Sequence, residues 1–304
     1  MASPPKNIAL VGASGNIGQI ILAALLDTSE FNVTVVTRTS STATFPSGAI
    51  VRKSDFSNAD LQAALKGQDA VISAVGATGF GKQKNLIDAA IAAGVSRFIP
   101  SEFSSDALND VVLKLLPLFG QKREVIEYLR SKESDSFTWT AIATSGLFDW
   151  GLANGFLGYD IASRTATIWD ASDRKFTMTN QKQLGDAVIS VLKRPEATAN
   201  QYLYVSSVET SQREVLAAFE RATASSWTLV NTTTKAEVDE ATKKLGQGDF
   251  SGALTLVRAT AFSNLPGLGA NYAKDRTLAN DLLALRKETV QETIDRIVKA
   301  ASSH

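Results

Sequence analysis

The stretch that decides the fold lies near the start of the chain: Ile8-Ala9-Leu10-Val11-Gly12-Ala13-Ser14-Gly15-Asn16-Ile17-Gly18. Its apolar run predicts a buried parallel strand, and the apolar spacing that begins at Ile17 predicts a helix. Three glycines join the two elements: the first permits a tight turn, the second the approach of a pyrophosphate, and the third close helix packing. Because a helix N-terminus also attracts phosphate, the stretch predicts a dinucleotide-binding turn. A glycine turn that holds no ligand is the alternative.

The composition is that of an ordinary globular protein. The chain has 304 residues, of which 44% are hydrophobic and 20% charged, and its formal net charge is zero. This charge balance argues against a broad nucleic-acid surface. No apolar run reaches membrane-spanning length, and residues 1–6 lead directly into the first strand. We therefore expect no membrane segment, no signal peptide and a cytoplasmic location.

The cysteine and histidine content restricts the chemistry of any site. The chain has no cysteine, and its one histidine is the final residue, His304. Cysteine nucleophiles, disulfides and thiolate metal sites are excluded, and a Ser-His-Asp triad or a histidine metal site is disfavoured. We expect no metal, and we expect acid–base chemistry from Lys, Tyr, Asp, Glu, Ser or water.

Strand and helix patterns alternate through the first half of the chain. Strands are predicted at Asn7–Val11, Asn32–Thr37, Ile50–Arg52, Ala70–Ala74, Phe98–Pro100 and Thr138–Ala143, and helices at about 16–27, 58–66, 82–93 and 118–131. This alternation predicts right-handed βαβ units. The expected fold class is therefore α/β, with a doubly wound parallel sheet of the Rossmann type.

The second half of the chain is less regular. Strands are predicted at Thr165–Trp169 and Tyr202–Val205, and helices near 183–193, 211–223, 234–245, 252–262 and, as a long final helix, 276–300. We expect residues 1–152 to form the dinucleotide-binding domain, with returns near 178–206. Residues 153–304 are expected to form a smaller, mostly helical substrate-binding region.

The end of the second predicted strand indicates which dinucleotide binds. Arg38 follows Gly18 by twenty residues, at a position where an acidic residue would bind the ribose hydroxyls of NAD. An arginine there suits the 2′-phosphate of NADP(H) through charge-assisted hydrogen bonds. Thr37, Thr39 and Ser40 would add hydroxyl donors. A solvated surface arginine is the alternative.

Two further strand ends fit the same ligand. Asp55-Phe56 follows the third strand and is predicted to meet the adenine. Ser73-Ala74-Val75-Gly76 ends the fourth, where small residues let a dinucleotide pass. Open α/β sheets bind ligands at the carboxyl ends of their strands, so these segments support one cofactor site.

Lys122 is the candidate proton carrier because it lies on the first turns after Pro117, near the cofactor edge. A partly desolvated lysine can have a lowered pKa and act as an acid or base, although a surface lysine is the alternative. The chain also contains the spacing Tyr128-x-x-x-Lys132. Lys132 lies about 15 Å further along the helix axis, at the wrong end, so we interpret this pair as surface residues.

These features together resemble the NmrA-like, isoflavone-reductase-like branch of atypical short-chain dehydrogenases, which includes phenylcoumaran benzylic ether and pinoresinol–lariciresinol reductases. The resemblance is carried by the glycine stretch, Arg38, Val71–Gly76, Gln83–Ala90, Arg97-Phe98-Ile99-Pro100-Ser101-Glu102-Phe103 and Phe119-Gly120-Gln121-Lys122. It covers about residues 7–150 well and the remainder loosely. The chain lacks the lysine that plant members carry between the positions of Ser40 and Ile50.

The resemblance implies the cofactor, the activity and several site residues. It implies NADP(H), Lys122 as general acid/base, and cofactor contacts by Gln83, Ser101, Glu102, Phe103, Ser145 and Phe148. The expected activity is NADPH-dependent reduction of an aromatic or conjugated carbonyl or ether metabolite by a monomer or homodimer. NmrA itself suggests the alternative, a non-catalytic NADP(H)-sensing regulator that binds a protein partner, and a quinone reductase is a third reading.

Aromatic residues of the second half are candidates for a substrate pocket. They are Phe148, Trp150, Phe156, Tyr159, Trp169, Phe262 and Tyr272. Ordinary core packing is the favoured reading for each of them taken singly.

Overall fold

The computed structural model describes residues 4–171 and 173–301, so His304 lies outside the described residues. The strands are β1 (Asn7–Val11), β2 (Asn32–Arg38), β3 (Ala49–Ser54), β4 (Ala70–Ser73), β5 (Arg97–Ile99), β6 (Thr138–Ala143), β7 (Tyr159–Asp160), β8 (Thr165–Trp169), β9 (Phe176–Met178), β10 (Gln201–Tyr204), β11 (Val208–Thr210) and β12 (Thr228–Thr232). The α-helices are α1 (Asn16–Asp27), α2 (Asn58–Leu65), α3 (Gln83–Ala92), α4 (Asp110–Leu115), α5 (Gly120–Ser131), α6 (Phe148–Ala153), α7 (Gln181–Lys193), α8 (Gln212–Thr223), α9 (Thr234–Gly246), α10 (Ser251–Phe262), α11 (Tyr272–Asp275) and α12 (Val290–Ala301).

The main sheet has seven parallel strands in the order β10-β6-β5-β4-β1-β2-β3. The chain builds outward from β1 through β2 to β3, and then returns to place β4 on the other side of β1. The strand order therefore reverses between β1 and β4, and such a reversal opens a crevice at the carboxyl ends of the strands.

Helices cover both faces of this sheet. On one face α1 and α7 pack on the strands through residues such as Leu22 and Leu184, and on the other α2, α3 and α5 pack through Leu61, Ile87 and Val125. Because both faces are buried, the central strands are continuous apolar runs rather than alternating ones. The predicted Rossmann-type α/β fold is confirmed.

A further apolar core lies next to this sheet, formed mostly by residues of the second half together with Phe80, Val112 and Phe119 of the first half. The second half contains two small sheets, β12-β8-β7 and β11-β9, of which the sequence pattern predicted only the strand Thr165–Trp169. Two of its elements return to the main sheet: β10 pairs with β6, and α7 packs so closely on α1 that a Cβ atom on Gly185 would lie 2.6 Å from the Cβ of Ala24.

The prediction of one long final helix at 276–300 is wrong. Only Val290–Ala301 of this stretch is helical, and the chain before it runs irregularly along the edge strand β10. The backbone N–H of Ala279 donates to the carbonyl oxygen of Tyr204, and Ala279 and Leu283 pack in the core beside α7. Tertiary contacts to the sheet therefore override a sequence pattern that favours a helix.

Within the described residues, no helix combines the length and the apolar character that crossing a bilayer requires. No group of three or more histidine, aspartate or glutamate side chains gathers around a possible metal position in residues 4–171 and 173–301.

Candidate active site

The glycine turn after β1 is constrained at two of its three glycines. Gly12 has φ +86°, and a Cβ atom there would lie 2.5 Å from the carbonyl oxygen of Ala74 at the end of β4. A Cβ atom on Gly18 would lie 2.1 Å from the carbonyl oxygen of Gly12. One on Gly15 would meet nothing nearer than 3.5 Å. Gly12 and Gly18 are thus required by the fold, whereas a side chain at Gly15 would make only an ordinary van der Waals contact.

The N-terminus of α1 fits an anionic group. No side chain caps it, and no acidic residue lies in its first turn. Ser14, Gly15 and Asn16 are exposed around it, while Ala13 is buried and Ile17 is half-buried. Uncapped N–H groups and the positive end of the helix dipole both favour a phosphate at this position.

Arg38, at the end of β2, carries a charge that the described part of the chain does not balance. It is exposed, and none of the ion pairs within residues 4–171 and 173–301 includes it. Thr39 is exposed beside it, and Thr37 is half-buried. An unbalanced guanidinium is suited to bind a phosphate monoester.

A second cation reaches the same turn from β3. Lys53 is paired with Thr37 in the parallel register. Its Nζ lies 3.2 Å from the carbonyl oxygen of Ser41 and 3.5 Å from that of Thr39, and so the ammonium lies against the turn that follows Arg38. Lys53 is not predictable from local sequence, because only the register of β2 and β3 brings it to this turn.

The ends of β3 and β4 lie along the same edge of the sheet. Asp55 is exposed and accepts a hydrogen bond from the backbone N–H of Ser57, while Phe56 is half-buried with φ +64°. Beyond β4 the chain becomes progressively more exposed over Ala74, Val75 and Gly76. A ligand lying across this edge meets small or exposed residues along this stretch.

Gln83 and Ser101 connect the turn after β4 to the turn after β5. The Oε1 of Gln83 accepts from the backbone N–H of Ser101 at 2.8 Å, and its Nε2 donates to the carbonyl oxygen of Phe80 at 3.2 Å. The Oγ of Ser101 donates to the carbonyl oxygen of Val75 at 2.7 Å. Both side chains are buried and shape the edge, and the cofactor contacts predicted for them stay predictions.

Lys122 lies in the first turn of α5, directly after a short 3₁₀ turn at Pro117–Phe119. Its side chain is buried, and its Nζ donates to the carbonyl oxygen of Glu102 at 2.6 Å and to the Oγ of Ser104 at 2.8 Å. The same Nζ lies 4.6 Å from the ring centre of Phe80 and 4.7 Å from that of Phe119. The ammonium is therefore held between two oxygen atoms and two aromatic rings.

Burial lowers the pKa of Lys122 from its usual 10.5 to about 8, and the charge of Glu102 opposes this fall. An aromatic ring favours a cation on its face but does not replace the lost hydration. The result is an ammonium whose proton is transferable close to neutral pH, as general acid–base catalysis requires.

The loops around Lys122 contain residues with unusual backbone conformations. Phe103 has φ +22° and Ser145 has φ +55°. The carbonyl oxygen of Ser104 accepts hydrogen bonds from the backbone N–H groups of Thr144 and Ser145, and this joins the loop after β5 to the loop after β6. Such strain in non-glycine residues is concentrated at functional sites.

A continuous set of contacts links the glycine turn to Lys122. Gly12 abuts Ala74 at the end of β4, and the neighbouring Val75 accepts the hydroxyl of Ser101. The backbone carbonyl oxygen of the next residue, Glu102, accepts a hydrogen bond from the ammonium of Lys122. The predicted phosphate cradle and the predicted proton carrier therefore lie at one edge of the sheet.

The Tyr-x-x-x-Lys pair is half-buried at the end of α5, where this helix lies beside α3. The hydroxyl of Tyr128 donates to both carboxylate oxygens of Asp88 on α3, at 2.6 and 2.7 Å, and the Nζ of Lys132 lies 3.0 Å from the same carboxylate. These three residues join two helices at the far end from Lys122. The pair lies at the end of α5 that helix geometry predicts, although both side chains are half-buried rather than exposed.

The side chain of Phe148 is not exposed at this edge of the sheet. Phe148 has no exposed surface and packs in the core of the second half, where Tyr159, Trp169 and Phe262 are also buried. Phe148 exposes no side-chain surface for the predicted cofactor contact, which stays a prediction. These aromatic side chains pack in the core, as the favoured interpretation of each expects.

Sequence reasoning missed the partners that surround Lys122. Ser104 directly follows the segment Arg97–Phe103 that carries the family resemblance. Its hydroxyl group is the only sequence feature that could have indicated a contact with Lys122. Tyr202 comes from β10, and its hydroxyl lies 2.9 Å from the Oε2 of Glu102. No local pattern connects residues one hundred positions apart in the chain.

Comparison with known proteins gives concordant findings. A sequence profile of the NmrA-like family matches residues 4–239. The chain is 38% identical over 295 residues to the oxidoreductase aprR of Aspergillus flavus, covering 96% of this chain and 98% of that protein. It is 29% identical over 216 residues to the phenylcoumaran benzylic ether reductase PT1 of Pinus taeda, covering 66% of this chain and 68% of that protein.

Among solved structures, the binary complex of leucoanthocyanidin reductase and NADPH from Vitis vinifera is similar in fold. Its TM-score is 0.79 at 19% identity, covering 96% of this chain and 99% of that chain. The family resemblance expected from the sequence is confirmed.

Proposed function

Because the chain belongs to the NmrA-like family, we propose that it is an NADPH-dependent reductase in which Lys122 is the general acid/base. The observation that carries this proposal is the position of the Lys122 ammonium. It is buried, it has a pKa of about 8, and contiguous contacts connect it to the glycine turn. The relatives called oxidoreductase and reductase support the same class of activity.

The residues at the sheet edge fit NADP(H). The turn at Gly12–Gly18 would hold the pyrophosphate, because the exposed Gly15 carries no side chain at the uncapped helix N-terminus. Arg38 would bind the 2′-phosphate, and Asp55 and Phe56 would flank the adenine. When bound, NADPH supplies a hydride to an electrophilic carbon of the substrate.

Lys122 would supply the proton that accompanies this reduction. The Glu102 carbonyl and the Ser104 hydroxyl orient its Nζ, and the rings of Phe80 and Phe119 exclude water from the ammonium. The proton moves from Nζ to the substrate oxygen, directly or through one water. In the reverse reaction the neutral amine accepts that proton.

We propose an aromatic or conjugated carbonyl or ether metabolite as the substrate. The names of the benzylic ether and leucoanthocyanidin reductases support this class, since both denote aromatic compounds. A monomer or homodimer remains our expectation for the assembly.

Stopped-flow absorbance of NADPH with a panel of enones, quinones and aryl ethers tests the proposal. We expect oxidation of NADPH with at least one class, and its product defines the substrate type. Tight NADP(H) binding without oxidation across the panel, together with capture of one partner protein, would instead support the cofactor-sensing regulator.

A further inference from the structure

Glu102 has a buried carboxyl group that takes no part in the proposed proton transfer. Only its backbone carbonyl does so, by accepting a hydrogen bond from Lys122. The side chain of Glu102 is 2% exposed. The Oε2 accepts the hydroxyl of Tyr202 at 2.9 Å, whereas the Oε1 has no hydrogen-bond partner among the described residues. A buried carboxyl group with an unsatisfied oxygen is costly, so its retention beside Lys122 requires a reason.

The Glu102 carboxyl and the Lys122 ammonium are both buried, and the ammonium bonds the backbone carbonyl of Glu102 rather than its carboxylate. Within residues 4–171 and 173–301, neither takes part in an ion pair at 4 Å or less. Phe80 and Phe119, the rings around the ammonium, carry no charge. A buried charge needs a compensating one, and each of these two groups offers it to the other.

Further groups adjust the Glu102 side. The Tyr202 hydroxyl, from β10, stabilises the ionised carboxylate, and Asp106, on the same loop, disfavours it. The guanidinium of Arg276 forms an ion pair with the carboxylate of Asp106, with its Nη2 2.9 Å from the Oδ2. This ion pair offsets most of the negative charge of Asp106. The hydroxyl of Tyr204 also bonds that Oδ2, at 3.1 Å.

We propose that Glu102 is a positioning residue for Lys122: its buried carboxylate is the countercharge that keeps the ammonium protonated, and Tyr202 holds that carboxylate. This inference deepens the proposed function and rests on it only for the catalytic consequence. Burial raises the pKa of Glu102, and the charge of Lys122 opposes that rise, as a mutually dependent pair requires. Without the countercharge, the same burial would make Lys122 lose its proton at a lower pH.

The test measures the protonation of Lys122 directly, independent of any reaction. In protein labelled with ¹³C-lysine, the Cε resonance of Lys122, assigned through Lys122→Arg, is followed against pH in wild type, Glu102→Gln, Tyr202→Phe and Tyr204→Phe. We expect the midpoint to fall by about one pH unit in Glu102→Gln and by less in Tyr202→Phe. Tyr204→Phe is the matched control, because its hydroxyl bonds Asp106 rather than Glu102, and we expect a smaller change there than in Tyr202→Phe.

A midpoint in both Glu102→Gln and Tyr202→Phe equal to that of wild type would overturn the proposal. Two variants are used because one of them alone could be compromised by misfolding, which thermal unfolding detects. The pH profile of reduction is recorded on the same variants. If the midpoint falls but the profile does not move, Glu102 is the countercharge and the catalytic role of Lys122 fails instead.

Discussion

The Nζ of Lys122 lies 2.6 Å from the carbonyl oxygen of Glu102, and this contact fixes a buried ammonium at the edge of the sheet where the glycine turn also lies. The carbonyl and the Ser104 hydroxyl take up two of its three N–H groups. The third N–H has no oxygen acceptor among the described residues and so stays available for proton transfer. The arrangement is therefore suited to deliver a proton in a defined direction.

The pH dependence of turnover follows from the Lys122 pKa of about 8. A general acid must be protonated, so we expect the rate of reduction to be level below about pH 8 and to fall above it. A general base must be neutral, so the reverse oxidation should rise through the same range. Single-turnover rates between pH 6 and 10 measure both limbs. A reduction rate that rises with pH would contradict the assignment.

Arg38 and Lys53 are expected to select NADPH over NADH. Each lies at the turn after β2 without a carboxylate partner in the described residues, and each can donate to a 2′-phosphate. We expect Arg38→Gln and Lys53→Gln each to weaken NADPH binding about tenfold at low salt, with NADH binding unchanged. Titration calorimetry measures both cofactors, with the exposed Lys66→Gln as control. Equal losses for NADPH and NADH would show that the two cations only support the loop.

Alanine substitutions at Gly15 and Gly18 are expected to have different effects: one on NADPH affinity and the other on stability. A Cβ atom on Gly18 would lie 2.1 Å from a backbone oxygen, so Gly18→Ala should destabilise the fold by about 1–3 kcal/mol. The nearest atom to a Cβ on Gly15 is 3.5 Å away. Gly15→Ala should therefore keep the melting temperature and lose affinity for NADPH. If Gly15→Ala binds NADPH normally, the pyrophosphate does not approach this glycine.

The pair Tyr128 and Lys132 is expected to be dispensable for turnover. Both side chains bind Asp88 on the surface of α3. Tyr128→Phe and Lys132→Ala should each change the steady-state rate less than about twofold, because surface ion pairs contribute little even to stability. A loss of a hundredfold or more in either variant would assign the proton transfer to Tyr128 and Lys132 and remove Lys122 from its role.

Local signals predicted most of the first half of the fold. Strands β1 and β6 and helix α1 have the predicted bounds, since each combines a continuous apolar pattern with a clear boundary residue. The early position of Lys122 on α5 followed from helix geometry and the βα alternation. These inferences depend only on sequence spacing, which is why they were accessible.

Long-range contacts account for what the sequence could not predict. The stretch from Arg276 to Val290 has a helical composition, yet Arg276 binds Asp106 and Ala279 bonds to Tyr204, and this holds the chain in an irregular path. The partnership of Tyr202 with Glu102 likewise exists only once β10 has joined β6.

The most direct test of the account is the single-turnover rate of NADPH oxidation by Lys122→Met, measured with the best substrate of the panel. Methionine keeps the length of the side chain and removes the proton, and the exposed Lys114→Met serves as the matched control. We predict a loss of at least about a hundredfold for Lys122→Met, with NADPH affinity within about twofold of wild type. Turnover by Lys122→Met at the wild-type rate would contradict the central claim that this lysine carries the proton.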